Sequence, residues 1–419
     1  MLDLKLIREE PETVKQGLAR KGVKPEEINH LLELDSKRRA FLQEVESLKA
    51  SRNKANDEIS KAKKEGKPVE SLINEMKTMS HKISDIDSKV VEINNKIGNI
   101  MYDIPNIPDK SVPDGFGANS NKVVRQWGKA PKFSFKPKDH IELGTKLGWV
   151  SFEKAAKLSG SGFALFQGEG AGLVRALMNM MIDLHTKKHG YREIWPPALV
   201  NRASMTGTGQ LPKMEEDMYR LKDDDLFLIP TAEVPVSNVH RDEILSENDL
   251  PIKYVAYSPC FRREAGSYGK DTRGLSRVHQ FDKVELVKFV KPEHSLDELE
   301  LLVKDAEEVL QLLELPYRVV LLCAGDLSFA AAKCYDLEVY APGMNRWFEV
   351  SSCSTFGDFQ ARRMNIRYKS KSEKGKTQFI HTLNGSGVAF ARTILCLLEN
   401  HQQANGSIKI PGALKPYFD

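Results

Sequence analysis

The densest group of residues able to do chemistry lies between positions 260 and 285. The run Cys260–Glu264 is followed by a polar loop, Ala265 to Ser276, and then by a second run that ends at Glu285. Two apolar segments that flank a polar loop are typical of an antiparallel hairpin with a long connection. Because side chains alternate along a strand, Phe281, Lys283 and Glu285 would share one face. We therefore expect an aromatic ring and a carboxylate on the same face of this strand, lining one site.

Other phosphate-binding and metal-binding patterns fit poorly. Phe163–Gln167 followed by Gly168–Gly172 looks like the start of a dinucleotide site, but the spacing is GxGxG and no repeated βαβ units follow. No GxxxxGK[ST] sequence is present, which excludes a P-loop. The five cysteines form no CxxC pair and have no histidine at ligand spacing, so we expect buried or inert thiols and no zinc.

The chemistry must be carried by a body joined to a long helical arm, predicted from about residue 27 to 101. A glycine and a proline within Lys63–Pro68 should separate two helices, the proline in the first turn of the second, that fold back as an antiparallel coiled coil of roughly 45 to 50 Å. The second helix shows apolar residues at alternating spacings of four and three, and the first shows intervals of seven with flanking apolar positions. These residues are Leu72, Met76, Met79, Ile83, Ile86, Val90, Ile93, Ile97 and Ile100, then Leu34, Phe41, Leu48, Ala55 and Ala62, flanked by Leu31, Val45 and Ile59.

The distal part of the first helix is locally basic. The formal net charge of +4 is too small to indicate nucleic-acid binding by itself. A solvated coiled-coil face and a grip on a phosphate backbone are both consistent with this local charge. The basic residues are Lys49, Arg52, Lys54, Lys61, Lys63, Lys64 and Lys67.

The rest of the chain predicts a second domain of mixed α and β structure. Five prolines among polar residues at 102–137 indicate a linker, with domains 1–110 and 111–419. Helical runs at 173–189 and 296–313 alternate with short apolar stretches at 226–229, 281–290 and 347–350. No apolar run long enough for a membrane span and no signal peptide are visible, so we expect a cytoplasmic protein.

The region at about 254–285 resembles motif 2 of the class II aminoacyl-tRNA synthetases, FRxE followed by a loop and RxxxF. Gly385–Arg392, within about 379–400, resembles motif 3, a glycine-rich turn into a helix that carries an arginine. Motif 1, at about 173–199, fits more loosely and includes Pro197. Thr206–Lys213, Thr231–Glu233, His279–Glu285, Asp358–Arg363 and the arm are similar to bacterial-type seryl-tRNA synthetases, a resemblance that covers nearly the whole chain.

That resemblance implies an α+β fold in which a helical hairpin precedes a catalytic domain built on an antiparallel sheet flanked by helices. It implies activation of L-serine by ATP, release of pyrophosphate, and transfer of serine to tRNA(Ser) and to tRNA(Sec). Arg262 and Arg392 would be the catalytic clamps on the α- and γ-phosphates. The implied ATP site comprises Arg262, Arg263, Glu264, Val278, Phe281, Glu349, Val350, Ser351, Ser352 and Arg392, of which Glu349 and Ser352 would hold Mg²⁺.

The resemblance also implies residues for serine and for tRNA. Glu285 would read the serine hydroxyl, and Thr231 and Glu233 would lie near its amino group. The implied serine site comprises Thr231, Ala232, Glu233, Arg262, Glu285, Thr382, Asn384 and Ser386. The implied tRNA contacts are Lys49, Arg52, Lys54, Lys61, Lys63 and Lys64 on the arm and Lys270, Arg273 and Arg277 in the loop. A homodimer is implied through motif 1.

Three alternative functions fit the sequence less well. A related ligase that charges a carrier protein would have no use for so long an arm. A class II synthetase for threonine or proline is disfavoured by the residues around Thr206 and Glu285. A non-enzymatic coiled-coil RNA binder would not need Arg262, Glu349 and Arg392.

Overall fold

The computed structural model describes residues 1–265, 273–371 and 375–418. The chain divides into two compact units, Leu2–Ile104 and Pro105–Asp419. The first unit is built from helices alone, and two of them form the arm. These helices are α1 Leu4–Glu9, α2 Pro11–Ala19, α3 Pro25–Lys64 and α4 Glu70–Asp103.

Helices α3 and α4 pair in opposite directions, as their cross-helix contacts show. Arg38 donates to Asn94 at 3.5 Å, whereas Lys49, further along α3, pairs with Asp87, which lies earlier in α4, at 3.8 Å. The predicted apolar positions are buried or half-buried along the seam, with Met101 buried at its end. The predicted antiparallel coiled-coil hairpin is confirmed.

The connection between these helices is a tight turn. Helix α3 ends at Lys64, and Gly66 follows with φ of +67°, a conformation that glycine adopts without strain. Pro68 lies ahead of Val69, the residue that precedes α4, and not in the first turn of the helix. The prediction that this proline lies within the first turn of the second helix is therefore wrong, because the helix begins two residues later, at Glu70. The prediction that a glycine ends the first helix is correct.

The second unit is a mixed α and β body. Its helices are α5 His140–Lys146, α6 Phe152–Ser159, α7 Glu169–Lys187, α8 Arg202–Thr208, α9 Glu233–Ser237, α10 Ser295–Leu312, α11 Phe359–Met364, α12 Phe390–His401 and α13 Lys415–Phe418. Its strands are β1 Lys122–Trp127, β2 Val150–Ser151, β3 Leu165–Phe166, β4 Arg192–Glu193, β5 Leu199–Asn201, β6 Leu226–Leu228, β7 Ile244–Ser246, β8 Ile252–Phe261, β9 Gln280–Val290, β10 Tyr317–Leu321, β11 Lys333–Ala341, β12 Arg346–Thr355, β13 Arg367–Lys369, β14 Thr377–Phe379 and β15 His381–Ala389. Among the residues that the structure describes, no helix is long and apolar enough to cross a membrane.

An eight-stranded sheet organises this body, in the order β1-β10-β11-β12-β15-β9-β8-β4. All neighbouring pairs are antiparallel except β4 with β8. Strands β8 and β9 form the long hairpin predicted from the sequence, with pairs from Ile252 and Phe289 to Phe261 and Gln280. Strand β9 lies near the centre, and its residues 283–290 are all buried. The predicted α+β fold on an antiparallel sheet is confirmed.

The structure of this unit differs from the sequence-based predictions for one segment and clarifies a second. Residues 122–127, placed in the predicted linker, form β1 and pair with β10 at the edge of the sheet. The strand is mostly exposed, so it lacks the buried alternation that would have revealed it, and backbone hydrogen bonds hold it in place. The glycine turn at 168 does join a strand to a helix, but β3 pairs antiparallel with the two-residue β2, unlike a dinucleotide fold.

The arm offers a matched test of its seam, because Val90 is buried and the adjacent Val91 is 59% exposed. We expect Val90→Ala to destabilise the hairpin by about 1.5–3 kcal/mol, through lost apolar burial and an unfilled cavity. Val91→Ala should be neutral or stabilising by a few tenths of a kcal/mol, because alanine has the higher helix propensity. Hydrogen exchange of segments from α4 in the full chain measures both. Equal effects of the two changes would contradict the assigned seam.

Candidate active site

A cavity of about 680 Å³ opens where strands β9, β12 and β15 meet the ends of β8 and α12. Residues predicted from four separate parts of the sequence line it together. From the predicted set these are Thr231, Glu233, Arg262, Glu264, Arg277, Val278, Phe281, Glu349, Val350, Ser352, Asn384, Ser386 and Arg392. The sheet therefore brings residues predicted to face phosphate and residues predicted to face an amino acid into one cavity.

A β-bulge in β12 shapes one wall of this cavity. Residues three positions apart on a regular strand face opposite sides. Leu337 of β11 pairs with Ser351, whereas the next residue of β11 pairs with Glu349, which leaves Val350 as an extra residue. This bulge turns Glu349 and Ser352 toward the same side, and both line the cavity. Two oxygen-bearing side chains are thus available together for a hard cation.

Arg392 is fixed by hydrogen bonds from two directions. It lies in the first turn of α12, directly after β15. Its Nε donates to the carbonyl of Ser276 at 3.0 Å, and its Nη1 donates to the carbonyl and the carboxylate of Glu349 at 3.0 and 3.1 Å. The guanidinium is therefore held in one orientation at the cavity wall and can present its remaining N–H groups to an anion.

The second arginine follows the end of β8. Arg262 Nε donates to the carbonyl of Pro230 at 3.3 Å, and its guanidinium carbon lies 5.3 Å from the centroid of the Phe281 ring. Glu264 pairs with Arg277 Nε at 3.0 Å. The Arg262 guanidinium, the Phe281 ring and the Glu264–Arg277 ion pair thus surround one end of the cavity. Such groups are suited to bind a nucleotide.

At the other end, two carboxylates share one amide donor. Asn384 Nδ2 donates to Glu233 Oε2 at 3.0 Å and to Glu285 Oε1 at 2.8 Å. Lys283 forms an ion pair with Glu285, and its Nζ donates to Thr231 Oγ1 at 2.7 Å. The Lys283 side chain is 6% exposed and that of Glu285 is fully buried. Lys283 lines this end of the cavity, and Glu285 lies directly behind it, fully buried and not on the cavity wall.

Two buried hydrogen bonds in series, through Gln360 and Thr382, fix the Glu233 carboxylate. Gln360 Nε2 donates to Glu233 Oε1 at 2.7 Å, and Thr382 Oγ1 donates to Gln360 Oε1 at 2.7 Å. Burial, reinforced by the nearby Glu285 carboxylate, raises the pKa of Glu233 to about 7. A ligand cation that pairs with Glu233 would favour its ionised form.

The charges at this end do not balance. Glu233 and Glu285 are two carboxylates, whereas Lys283 is the one ammonium in hydrogen-bond contact with them among the described residues. When both carboxylates are ionised, this hydrogen-bonded group carries a net charge of −1, which the nearby Arg262 guanidinium offsets in part. A small ligand with a single ammonium group would complete it.

Several predicted residues lie beside the cavity and not on its wall. Ala232 and Thr382 are fully buried, and Thr382 reaches the cavity through Gln360. Ser351 is buried and donates to the carbonyl of Ser386 at 2.6 Å. Arg263 is exposed, and its backbone N–H donates to the carbonyl of Asp217, in an earlier segment of the same chain, at 2.9 Å.

The predicted RNA-contacting residues are spread over both units. On α3, Lys49, Lys54, Lys61, Lys63 and Lys64 are exposed and Arg52 is half-buried. Arg273 lies 3.9 Å from Asp139. Lys270 lies outside the described residues.

Two residues of the site were missed as candidates. The period-two alternation placed Lys283 on the same face as Glu285, so a signal for it existed. Gln360 lies within the family-like stretch Asp358–Arg363, but nothing in its spacing indicated that it would contact Glu233. All five cysteines are buried free thiols, as expected. Within the parts of the chain that the structure describes, no three acidic, histidine or cysteine side chains are grouped to hold a metal ion.

Comparison with known proteins identifies the family of the chain. Residues 1–108 match the model of the seryl-tRNA synthetase N-terminal domain, and residues 216–401 match that of the tRNA synthetase class II core domain (G, H, P, S and T). The serine--tRNA ligase of Thermodesulfovibrio yellowstonii is 53% identical, covering 100% of this chain and 99% of that protein. The serine--tRNA ligase of Clostridium tetani is 55% identical, covering 100% and 98%.

Solved structures agree over the same length. Seryl-tRNA synthetase from Pyrococcus horikoshii, crystallised with ATP, is 40% identical with a TM-score of 0.96, covering 100% of this chain and 98% of that one. The cytoplasmic serine-tRNA ligase of Naegleria fowleri, in complex with AMP, is 31% identical with a TM-score of 0.89, covering 100% and 97%. With its arm, its antiparallel sheet and its arginine-lined cavity, the chain belongs to the seryl-tRNA synthetase family of class II aminoacyl-tRNA synthetases.

Proposed function

We propose that this chain activates L-serine with ATP and transfers it to the 3′ end of tRNA(Ser). The observation that carries the proposal is the cavity itself, which joins an arginine-lined end to an end where two buried carboxylates contact a single lysine. An amino acid with one ammonium and one carboxylate, placed between them, directs its carboxylate toward the arginines. The serine--tRNA ligases that are 53% and 55% identical, and that match over 99% and 98% of their length, support the same reaction.

The first step joins two anions and needs no general base. A serine carboxylate oxygen attacks the α-phosphorus of ATP, and the bond from that phosphorus to the bridging oxygen breaks, releasing pyrophosphate. The catalytic requirement is to align the groups and offset negative charge. Arg262 would contact the α-phosphate and Arg392 the γ-phosphate, and their hydrogen bonds to Pro230, Ser276 and Glu349 hold them ready.

We propose that Glu349 and Ser352 hold Mg²⁺ with the bound ATP. The bulge in β12 that directs both side chains into the cavity supports this role, and both present oxygen ligands. Mg²⁺ bound there would offset charge on the triphosphate. The Phe281 ring would stack on adenine, and Glu264 and Val278 would complete that end of the site.

Selection of serine would depend on its hydroxyl. Glu285 would accept a hydrogen bond from it, and alanine would leave the carboxylate without this partner. The Lys283 ion pair and the Asn384 amide fix the Glu285 oxygens, while Glu233 faces the ammonium. Thr382 would support this end through Gln360, with Ser386 on the adjacent strand.

In the second step, a ribose hydroxyl of tRNA attacks the seryl carbonyl and AMP leaves. We propose that the exposed lysines of α3 grip the tRNA backbone, which suits a surface rich in cations and poor in aromatic rings. Charging of tRNA(Sec), a homodimer through motif 1 and a cytoplasmic location follow from family likeness. Charging of a carrier protein is disfavoured, because it would leave the arm without a use.

The proposed reaction predicts serine-dependent exchange between ATP and pyrophosphate. A panel of serine, alanine, glycine and threonine should give exchange with serine at least about 10³-fold above alanine, because alanine would not supply the hydroxyl donor that the buried Glu285 carboxylate would accept from. Measurement of kcat/KM for each amino acid tests this directly. A folded protein without serine-dependent exchange would refute the proposed function.

The arm predicts a separation of the two steps. Replacing Lys61, Lys63 and Lys64 by glutamine should leave exchange within about twofold while weakening tRNA charging, and the slope of log affinity against log salt should fall by about two. The matched control replaces three exposed lysines of the second unit, Lys154, Lys157 and Lys304. Equal loss of charging in both triple variants would show that total charge, and not the arm, governs tRNA binding.

A further inference from the structure

A fully buried carboxylate on α12 lies outside the groups assigned so far. Glu399 Oε1 accepts from the backbone N–H of His140 at 3.0 Å, and Oε2 accepts from the backbone N–H groups of Gly343 and Met344 at 2.8 and 3.0 Å. His140 Nδ1 lies 3.0 Å from the same Oε1. Charged acceptors with several backbone donors are held in a single orientation. Glu399 is therefore a fixed acceptor for the imidazole.

The second ring nitrogen of His140 shows where its proton lies. The backbone N–H of Leu275 donates to His140 Nε2 at 3.0 Å. A backbone N–H can only donate, so Nε2 carries no proton, and the neutral ring carries its proton on Nδ1, which donates to Glu399. Two hydrogen bonds in series therefore connect Glu399 to the backbone of Leu275.

The residue after Leu275 is in contact with the catalytic arginine. The carbonyl of Ser276 accepts from Arg392 Nε at 3.0 Å. Arg392 and Glu399 are seven residues apart on α12, which places them two turns apart on one side of the helix. Helix α12 thus holds two consecutive backbone positions, one directly through Arg392 and one through His140.

Gly274 allows this close approach. Its φ is +64°, and a Cβ atom there would collide with the His140 ring and come within 2.7 Å of Ile141 Cγ1. The backbone at 274–276 can reach the imidazole because this position lacks a side chain. A nearby ion pair between Arg273 and Asp139, at 3.9 Å, joins the same two segments.

We propose that His140 and Glu399 are positioning residues that set Arg392 for ATP by fixing the backbone of Leu275 and Ser276. The proposal rests on the proposed function, because it assigns Arg392 to the ATP phosphates. Loss of the Leu275 hydrogen bond would free the Ser276 carbonyl and loosen Arg392. Glu233 and Glu285 have separate partners, so the serine end would be unaffected.

Two amide substitutions separate the two hydrogen bonds of the ring. The amide nitrogen of asparagine in His140→Asn reaches about the place of Nδ1 and keeps a donor to Glu399, but nothing accepts from Leu275. The carbonyl of glutamine in His140→Gln reaches about the place of Nε2 and keeps an acceptor for Leu275. We expect His140→Asn to raise the KM for ATP about three- to tenfold, the effect of one buried hydrogen bond. The KM for serine should stay within about twofold, and His140→Gln should fall closer to the unaltered enzyme.

Hydrogen exchange of the segment that contains Leu275 gives a readout independent of activity. The amide should be protected in the unaltered chain and in His140→Gln, and should exchange faster in His140→Asn. An unchanged KM for ATP in folded His140→Asn, an equal rise in both KM values, or glutamine no better than asparagine would overturn the proposal. Should the asparagine variant not fold, rapid exchange of Leu275 in the unaltered chain would overturn it equally. Absence of serine-dependent ATP–pyrophosphate exchange in the unaltered chain would instead contradict the proposed function. Hydrogen exchange of the Leu275 amide would still test whether His140 fixes the backbone at Leu275.

Discussion

Two buried carboxylates that face one lysine dominate the chemistry of this protein. Glu233 and Glu285 share the Asn384 amide, and Lys283 pairs with Glu285 alone in this group. Burying a second carboxylate beside the first is costly, and burial together with the Glu285 carboxylate raises the pKa of Glu233 to about 7. In the proposed reaction, the substrate ammonium supplies the missing charge. The free site is therefore incomplete in a way that one amino group corrects.

The sheet keeps this charge arrangement in place and aligns it with the arginines. Strand β9 carries Lys283 and Glu285 in the interior of the sheet, between β15, which carries Asn384, and β8, which Arg262 follows. Bulges in β12 and β15 interrupt the alternation where the cavity needs it. At the β15 bulge a Cβ on Gly387 would come within 3.2 Å of the Val284 carbonyl oxygen, so glycine suits the position. The rigid floor supports orientation of two anions without a general base.

The arm and the hairpin of β8 and β9 could be predicted from the sequence because each has a simple period. The heptad seam and the alternation of Phe281, Lys283 and Glu285 are local patterns, and the structure follows both. Contacts between distant segments were not predictable in this way. Gln360 meets Glu233 across 127 positions, and His140 meets Glu399 across 259, so neither pairing leaves a local period. The roles of serine, ATP and tRNA came from family resemblance, which the full-length relatives support.

In the proposed reaction, the serine ammonium is the partner that favours the ionised form of Glu233. Because ionised Glu233 is favoured by the ammonium and the free group has a pKa of about 7, serine binding below that pH should release protons. Calorimetric titration with serine at pH 6, in two buffers of different ionisation enthalpy, measures that release. We expect serine binding to release close to one proton per serine at about pH 6, few protons at about pH 8, and none in Glu233→Gln. Equal binding enthalpies in the two buffers at pH 6 would contradict this expectation.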